Sequence, residues 1–494
     1  MKNITRKYEN FFDSFFDFFE KYYWIFFIIL SSCLAFLCFH NLGAGLVQDW
    51  DEARHGVSAY EMLKNNEYII NTYNYTNDYW NLKPPLSFLG IILSFKIFGV
   101  SVFSFRFTSA LSLLLTAIIL AIFIKNRYGK LESLISLAIF SSLSSFYLYH
   151  MGRHGDADAL FMLFFTLAMI YMMKIEEKRY SLYLCGFFFS LAFLTKSWHA
   201  FAIVAIGGLY LLFTGLIKNI KVKEWIYFLL SFIVPIGTWI ILRLIEDGPK
   251  FLIEMVRYDL LARSSNSLEG HTGTVWFYFD YLLLNNKFLI VFMFSIILLG
   301  IGFYSNRYCN RKNDVLAFGL WISIPFAIFT KAETKIFWYI IPILVPLLTL
   351  TSIFLGRFIR QKGIPVLLRS LLVIIFALSI MYYSAINIGR VIKISSNEYQ
   401  QFMLTNVSKY DDIKGFDAYI AIDNDDGAWS QSQLFLAEIS ADLKCQFEGL
   451  NGFLESSDPS VLIISKDKFN ENISLLKDIN IIYNNDNLYL LSKN

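Results

Sequence analysis

Pro85-Leu-Ser-Phe-Leu-Gly-Ile-Ile-Leu-Ser-Phe-Lys-Ile-Phe98 sets how the rest of this chain is oriented, because it is apolar and yet short. At about 1.5 Å per residue, a helix over 85–98 covers only about 21 Å. The hydrocarbon core of a bilayer is roughly 30 Å thick. Lying along a membrane surface, the stretch leaves 41–102 as a single loop on one side. Crossing the membrane, it would invert every loop that follows.

Those later loops choose between the two readings. Residues 125–130, 174–179, 218–223, 307–312 and 357–362 are short and carry three basic residues each. The loops between them, 150–157, 196–198, 246–280 and 331–335, are poorer in basic residues or longer. Short Lys/Arg-rich loops stay in the cytoplasm. They go there together with the Lys2, Arg6, Lys7 and Lys21 terminus only if 85–98 lies on the outer surface. About eleven spans are then expected, near 22–40, 103–124, 131–149, 157–173, 180–195, 199–217, 225–245, 284–304, 314–330, 336–356 and 364–388.

Composition agrees with a chain solvated mostly by lipid: 56% of the 494 residues are hydrophobic and only 17% charged, against about 25% charged in soluble domains. The run from Tyr22 to Phe39 is too long for a signal-peptide core and has no small-residue cleavage site after it, so it is expected to stay as an anchor. Before it, the phenylalanines of Tyr8–Glu20 recur at helical spacing while Asp13, Asp17 and Glu20 take the other face, as in a helix lying in the interface. Five scattered cysteines make no disulfide framework or metal spacing. A net charge of +3 without a basic, aromatic-interleaved patch gives no sign of nucleic acid. From about Ile394 the chain turns polar. Strands are expected at Ala418–Ile422, Val461–Ile464 and Leu488–Leu491, with a helix near Ser432–Leu443. The expected fold is therefore an all-α polytopic membrane protein with a small C-terminal α/β domain. Its parts are an interfacial helix over 1–21, a transmembrane domain over 22–393 containing the 41–102 external loop, and an external domain over 394–494.

The outer face collects charged side chains. Asp51-Glu-Ala-Arg54 follows the first span, and Asp51 and Arg54 share a face at helical spacing. Lys83 precedes two prolines that fix its backbone, a place from which it suits an anionic partner such as phosphate. Arg153-His-Gly-Asp-Ala-Asp158 precedes the fourth span. Lys196 and His199 sit where two spans meet, and Lys331-Ala-Glu-Thr-Lys335 leads into Tyr339. Any one of these alone reads as a solvated helix end. All of them on one face, by a topology derived from other residues, would build a basic, carboxylate-containing pocket at the lipid–water boundary.

The same residues resemble the GT-C superfamily of membrane glycosyltransferases, and more closely the dolichyl-phosphate-mannose–protein mannosyltransferases and their bacterial relatives, the aminoarabinose transferases acting on lipid A. The likeness rests on Asp51-Glu-Ala-Arg54, Lys83-Pro-Pro, Phe98-Gly-Val with Phe105-Arg106, Arg153…Asp158, Phe193-Leu-Thr-Lys196, Glu269-Gly-His271 and Lys335…Tyr339…Pro342, and it covers about 40–350. Two positions depart. Leu82 stands where aminoarabinose transferases typically carry a glutamate, which removes the support for a metal there and for aminoarabinose as the sugar. Ser197-Trp198 replaces the usual glycine-proline.

The resemblance implies an inverting transferase in a bacterial inner membrane, moving a sugar from a polyprenyl-phosphate carrier to lipid A or another glycolipid outside the cytoplasm. A protein Ser/Thr acceptor is the alternative, and a lipid-linked-sugar flippase the alternative of another class. In this reading Asp51 is the base, while Arg54, Lys83, Lys335 and Tyr339 bind the donor phosphate. Glu52, Asp158, Arg153, Lys196 and His271 position the substrate, and no cofactor or metal is expected.

Overall fold

The computed structural model describes residues 2–148, 150–266, 270–304, 312–422 and 426–493. Helix α1 (Lys2–Lys21) meets α2 (Tyr23–Phe39) at a 73° bend. Phe12 and Phe16 turn inward while Phe11, Phe15 and Phe18 stay exposed, the one-sided burial expected of an interfacial helix. After α2 the chain enters a folded cap: α3 (Asp51–Lys64), a two-stranded hairpin of β1 (Thr72–Tyr73) and β2 (Thr76–Asn77), and α4 (Leu86–Phe98). Helix α4 follows directly on Pro84-Pro85, residues whose fixed φ suits a helix start. It is the short apolar helix the sequence leads one to expect.

The bundle continues with α5 (Val102–Arg127), α6 (Lys130–Ser142), α7 (Asp158–Met173), α8 (Ser181–Lys196), α9 (Phe201–Phe213) and α10 (Val222–Glu246). A short stretch of α11 (Lys250–Glu254), a π-helix over Met255–Ala262 and α12 (Arg263–Ser265) leads to α13 (Phe277–Tyr304), α14 (Lys312–Lys331), α15 (Leu344–Arg360) and α16 (Val366–Ile392). Each of the eleven expected spans coincides with a helix. Among the described residues, seven elements are long and apolar enough to cross a membrane by themselves, or eight with the bent α1–α2 pair counted as one span; α7 is apolar but shorter. Helix α15 is buried nearly all round, whereas α10 and α16 leave most of their apolar surface outward, as lipid-facing helices do. Helix α13 is broken at Asn286, where the backbone leaves helical geometry, and the Asn286 side chain ties the break to the end of α6 by accepting from Ser144 N–H (2.9 Å) and donating to Ser142 C=O (3.0 Å).

The basic loops gather at the end of the bundle opposite the cap. Arg127 bridges Glu177 (2.6 Å) and Asp314, Arg360 reaches Glu20 of α1 (2.6 Å), and Arg369 reaches Glu9 (2.9 Å). Residues 307–311 of one basic loop lie outside the described residues.

At the cap end sits the C-terminal unit, built from α17 (Glu398–Thr405), β3 (Asp417–Ala421), α18 (Gln431–Ala441), β4 (Lys444–Cys445), α19 (Gly449–Glu455), β5 (Ser460–Ser465), α20 (Lys466–Glu471), α21 (Ile473–Leu476), β6 (Asn480–Asn484) and β7 (Leu488–Lys493). The sheet order is β4-β3-β5-β7-β6; β3 pairs in parallel with β4 and β5, while β7 runs antiparallel to β5 and β6. The three expected strands are present. β4 spans only two residues and β6 is half-exposed and Asn-rich, so neither carries the apolar signal that marks a buried strand.

Helix α18 lies on α3, and Gly56 is required there: a Cβ would meet the Phe435 ring at 2.6 Å. Glu61 of α3 and Glu438 of α18 are buried against each other, each with one carboxyl oxygen that no donor from the rest of the chain reaches. Burial, reinforced by the facing carboxylate, pushes Glu438 well up, and burial also raises Glu61. One proton shared between them satisfies both. Because the fold holds that proton more tightly than the unfolded chain does, this contribution is fully present below the unfolded value of about 4.3 and is lost as pH rises through the folded value. Glu438→Gln is therefore expected to raise thermal stability at pH 7–8 and to make no difference near pH 4, as read by thermal unfolding of the detergent-solubilised chain across that range.

Candidate functional site

Between the cap and the bundle lies a cavity of about 670 Å³. Its charged wall is assembled from four segments far apart in sequence. Asp51 opens α3, Lys83 sits before the prolines that start α4, His150 and Asp156 come from the 150–157 loop, and Asp158 and Lys196 sit at the facing ends of α7 and α8.

Two ion-paired groups result. In the first, Lys83 Nζ lies 2.9 Å from Asp51 Oδ1 and 4.0 Å from Asp156 Oδ1, while His150 Nδ1 contacts Asp156 Oδ2 and stands 3.9 Å from Asp51 Oδ2. Burial opposes ionisation of Asp51, yet Lys83 and, behind it, His150 outweigh burial and the neighbouring Asp156, so the carboxyl sits below its ordinary range. Asp156 is held far lower against its own burial by Lys83 and His150. His150 is held above the usual histidine value by Asp156 in spite of burial, and its ring stacks on Trp338 with centroids 3.5 Å apart. In the second group Lys196 pairs with Asp158 and its ammonium lies 4.9 Å above the Tyr339 ring.

A further carboxylate faces the same cavity from the π-helix. Asp259 accepts a hydrogen bond from Ser197 Oγ (2.9 Å) and pairs with Arg263 (3.2 Å). Burial raises its carboxyl above the ordinary value.

Of the residues anticipated from sequence, Asp51, Lys83, Asp158, Lys196, His271 and Tyr339 line the cavity. Glu269 lies outside the described residues. Four others serve as scaffold around the cavity. Arg54 is forked onto Asp78 (2.9 and 2.8 Å) and stacks between Tyr73 and Trp80, bracing the strand of chain that carries Lys83. Glu52 is buried with Arg106 (2.7 Å). Arg153 donates to the carbonyls of Leu37, Cys38, His40 and Asn41, the orphaned acceptors where α2 ends. Lys335 Nζ caps the end of α14 through the carbonyls of Phe329, Thr330 and Ala332.

His150, Asp156, Asp259 and Trp338 escape the sequence reading. The first two stand inside a loop already marked by its charges, and Asp259 and Arg263 show only an i,i+4 pair within a long polar stretch. His55, although next to the site, is a support: its ring nitrogens bond Ser87 (2.8 Å) and Asn81 (3.2 Å), and burial followed by the Lys83 charge pushes it down to about 3.

Among the described residues, the cluster with metal-ligand chemistry is Asp51, His150 and Asp156, whose ligand atoms lie within 4.8 Å of one another. A divalent ion there would have to displace Lys83 Nζ, which already stands between the two carboxylates.

Comparison with known proteins places this architecture. The family model for dolichyl-phosphate-mannose-protein mannosyltransferase matches residues 82–241. The solved structure of ArnT from Cupriavidus metallidurans bound to undecaprenyl phosphate superposes with a TM-score of 0.69 at 14% identity, covering 95% of this chain and 97% of that one. An oligosaccharyltransferase from Archaeoglobus fulgidus superposes at 0.55 with 12% identity, over 87% of this chain and 65% of that one. The chain has the GT-C membrane-glycosyltransferase fold, as its motifs led one to expect. In sequence it is similar to the undecaprenyl phosphate-alpha-4-amino-4-deoxy-L-arabinose arabinosyl transferase of Shewanella sediminis, 26% identical over 324 residues, 64% of this chain. The match spans 57% of that relative's length.

The buried Glu52–Arg106 pair predicts a clear stability effect. Arg106→Met strands a buried carboxylate and is expected to cost about 3–5 kcal/mol, while Glu52→Gln with Arg106→Met should recover part of that loss. Thermal unfolding of the purified variants measures both.

Proposed function

We propose that this chain is an inverting glycosyltransferase of a bacterial inner membrane, transferring a sugar from a polyprenyl-phosphate carrier to a lipid acceptor on the outer face. The observation that carries the reading is the convergence of Asp51, Lys83, Asp158 and Lys196 from four distant segments on one cavity at the cap end of the bundle. Fold and relatives support it, and the basic loops at the opposite end support the orientation.

In the reaction, the bond between the anomeric carbon and the carrier phosphate breaks, and a bond from the acceptor oxygen to the opposite face of that carbon forms. Lys83 neutralises the charge that develops on the departing phosphate. Lys196, held by Asp158 over Tyr339, supplies a second cation near the sugar. Asp51 takes the acceptor's proton.

The Asp51–Lys83 contact links these roles. Without donor, Lys83 holds Asp51 ionised but weakly basic. An arriving phosphate competes for the ammonium, and as Lys83 turns to it the lowering of Asp51 relaxes. The carboxylate thus becomes a better base once the donor is bound. An acceptor phosphate would be largely ionised already, since its second pKa is about 6, and would leave Asp51 only an orienting role.

Purified chain with a panel of undecaprenyl-phosphate sugars tests the reading: released undecaprenyl phosphate with a glycosylated lipid supports it, and lipid movement without bond cleavage would mean a flippase instead. Asp51→Asn is expected to abolish transfer to a hydroxyl acceptor by a chain that still folds, and wild-type transfer by that variant removes Asp51 as base. Lys83→Ala is expected to raise the donor KM and lower kcat at least about tenfold, with unaltered donor kinetics refuting the phosphate role.

A further inference from the structure

Asp51 follows a residue in a strained conformation. Trp50 has φ 68° and ψ −120°, a region that is unfavourable for a non-glycine residue and persists only where its surroundings impose it. The imposing groups come from the C-terminal unit. The Trp50 N–H donates to the side-chain carbonyl of Gln431, the first residue of α18. Asp49 Oδ1 accepts from the Ser432 N–H at 2.7 Å, an anion seated on the first turn of that helix, where its dipole favours negative charge.

Just upstream, the buried Gln400 of α17 grips the same segment from both sides. Its Oε1 accepts from Val47 N–H (2.9 Å) and its Nε2 donates to Gly45 C=O (3.0 Å). The chain from Gly45 to Trp50 is therefore bonded to α17 and α18 at four points before it delivers Asp51 to the cavity. On the far side of Asp51, Glu52 is fixed by Arg106.

We propose that the C-terminal unit is a positioning element of the active site, with Gln431 the residue that holds Trp50 in its strained conformation and so aims the Asp51 carboxylate at the acceptor. This rests on the reading of Asp51 as the base. Loss of the Gln431 acceptor lets Trp50 relax and turns the start of α3 by one peptide, while the two prolines after Lys83 keep its backbone in place.

The test uses the full-length chain and separates kcat from KM. Gln431→Ala is expected to lower kcat for a hydroxyl acceptor at least about tenfold, as small misplacements of a reacting group do, with the donor KM and melting temperature close to wild type. Gln431→Glu, which keeps an acceptor oxygen at that place, is expected to restore most of the rate. Tyr60→Phe removes a 2.7 Å hydrogen bond to Asp442 in the same α3–α18 contact and is the control, expected to leave kcat unchanged. An unchanged kcat in Gln431→Ala, or an equal loss in Tyr60→Phe, overturns the proposal. A fully active Asp51→Asn sinks the base assignment instead, so the two failures are told apart.

Discussion

The guanidinium of Arg106 and the carboxylate of Glu52 are both almost fully removed from solvent, 2.7 Å apart, and what surrounds them explains why such a pair is kept. Arg106, on α5, also donates to the carbonyls of Leu42, Gly45 and Leu46. Glu52, on α3, also accepts from the N–H groups of Gln48 and Gly155. Apart from the His154 ring, 3.5 Å from Glu52, the other partners of the two ions are backbone groups from different pieces of chain. A buried ion pair is weak evidence for stability taken alone. This one joins the exit of α2, the start of α3, the body of α5 and the 150–157 loop, and two of those four carry the carboxylates that face Lys83, Asp51 and Asp156.

With that frame fixed, the cavity can hold opposed charges close together. Lys83 with Asp51 and Asp156, Lys196 with Asp158, and Arg263 with Asp259 are each neutralised locally, so no single ion is left to meet the cost of burial unaided. A charged substrate group entering such a site exchanges partners with ions already there. The energetic change on binding is a rearrangement of pairs, which is small compared with creating a new buried charge.

Much of this was legible in the chain. The apolar runs marked the helices, and the shortness of 85–98 marked α4, because lipid imposes length and apolarity on anything that crosses it. The three strands of the C-terminal sheet with continuous apolar stretches were equally plain. The site was half legible: charges could be assigned to one face, but their partners could not. Arg153 and Lys335 stand among the cavity residues in sequence, yet one finds the exposed carbonyls of a helix end 112 to 116 residues away and the other the end of the helix just before it. Arg54 is drawn off by Asp78. Backbone acceptors carry no signature in residue type, so a cation bound for them looks like one bound for a ligand. Asp156 and His150 show the reverse, an unremarked loop pair made central by its approach to Lys83.

The shortness of α7 sets a depth. Its sixteen residues start at Asp158 and cover about 24 Å at 1.5 Å per residue, against roughly 30 Å of hydrocarbon. If its far end meets the opposite boundary, the carboxylate lies about 6 Å inside the level where lipid head groups begin. A substrate whose tail is a prenyl chain then need not be lifted from the bilayer to react, because the protein brings its polar floor down to the lipid.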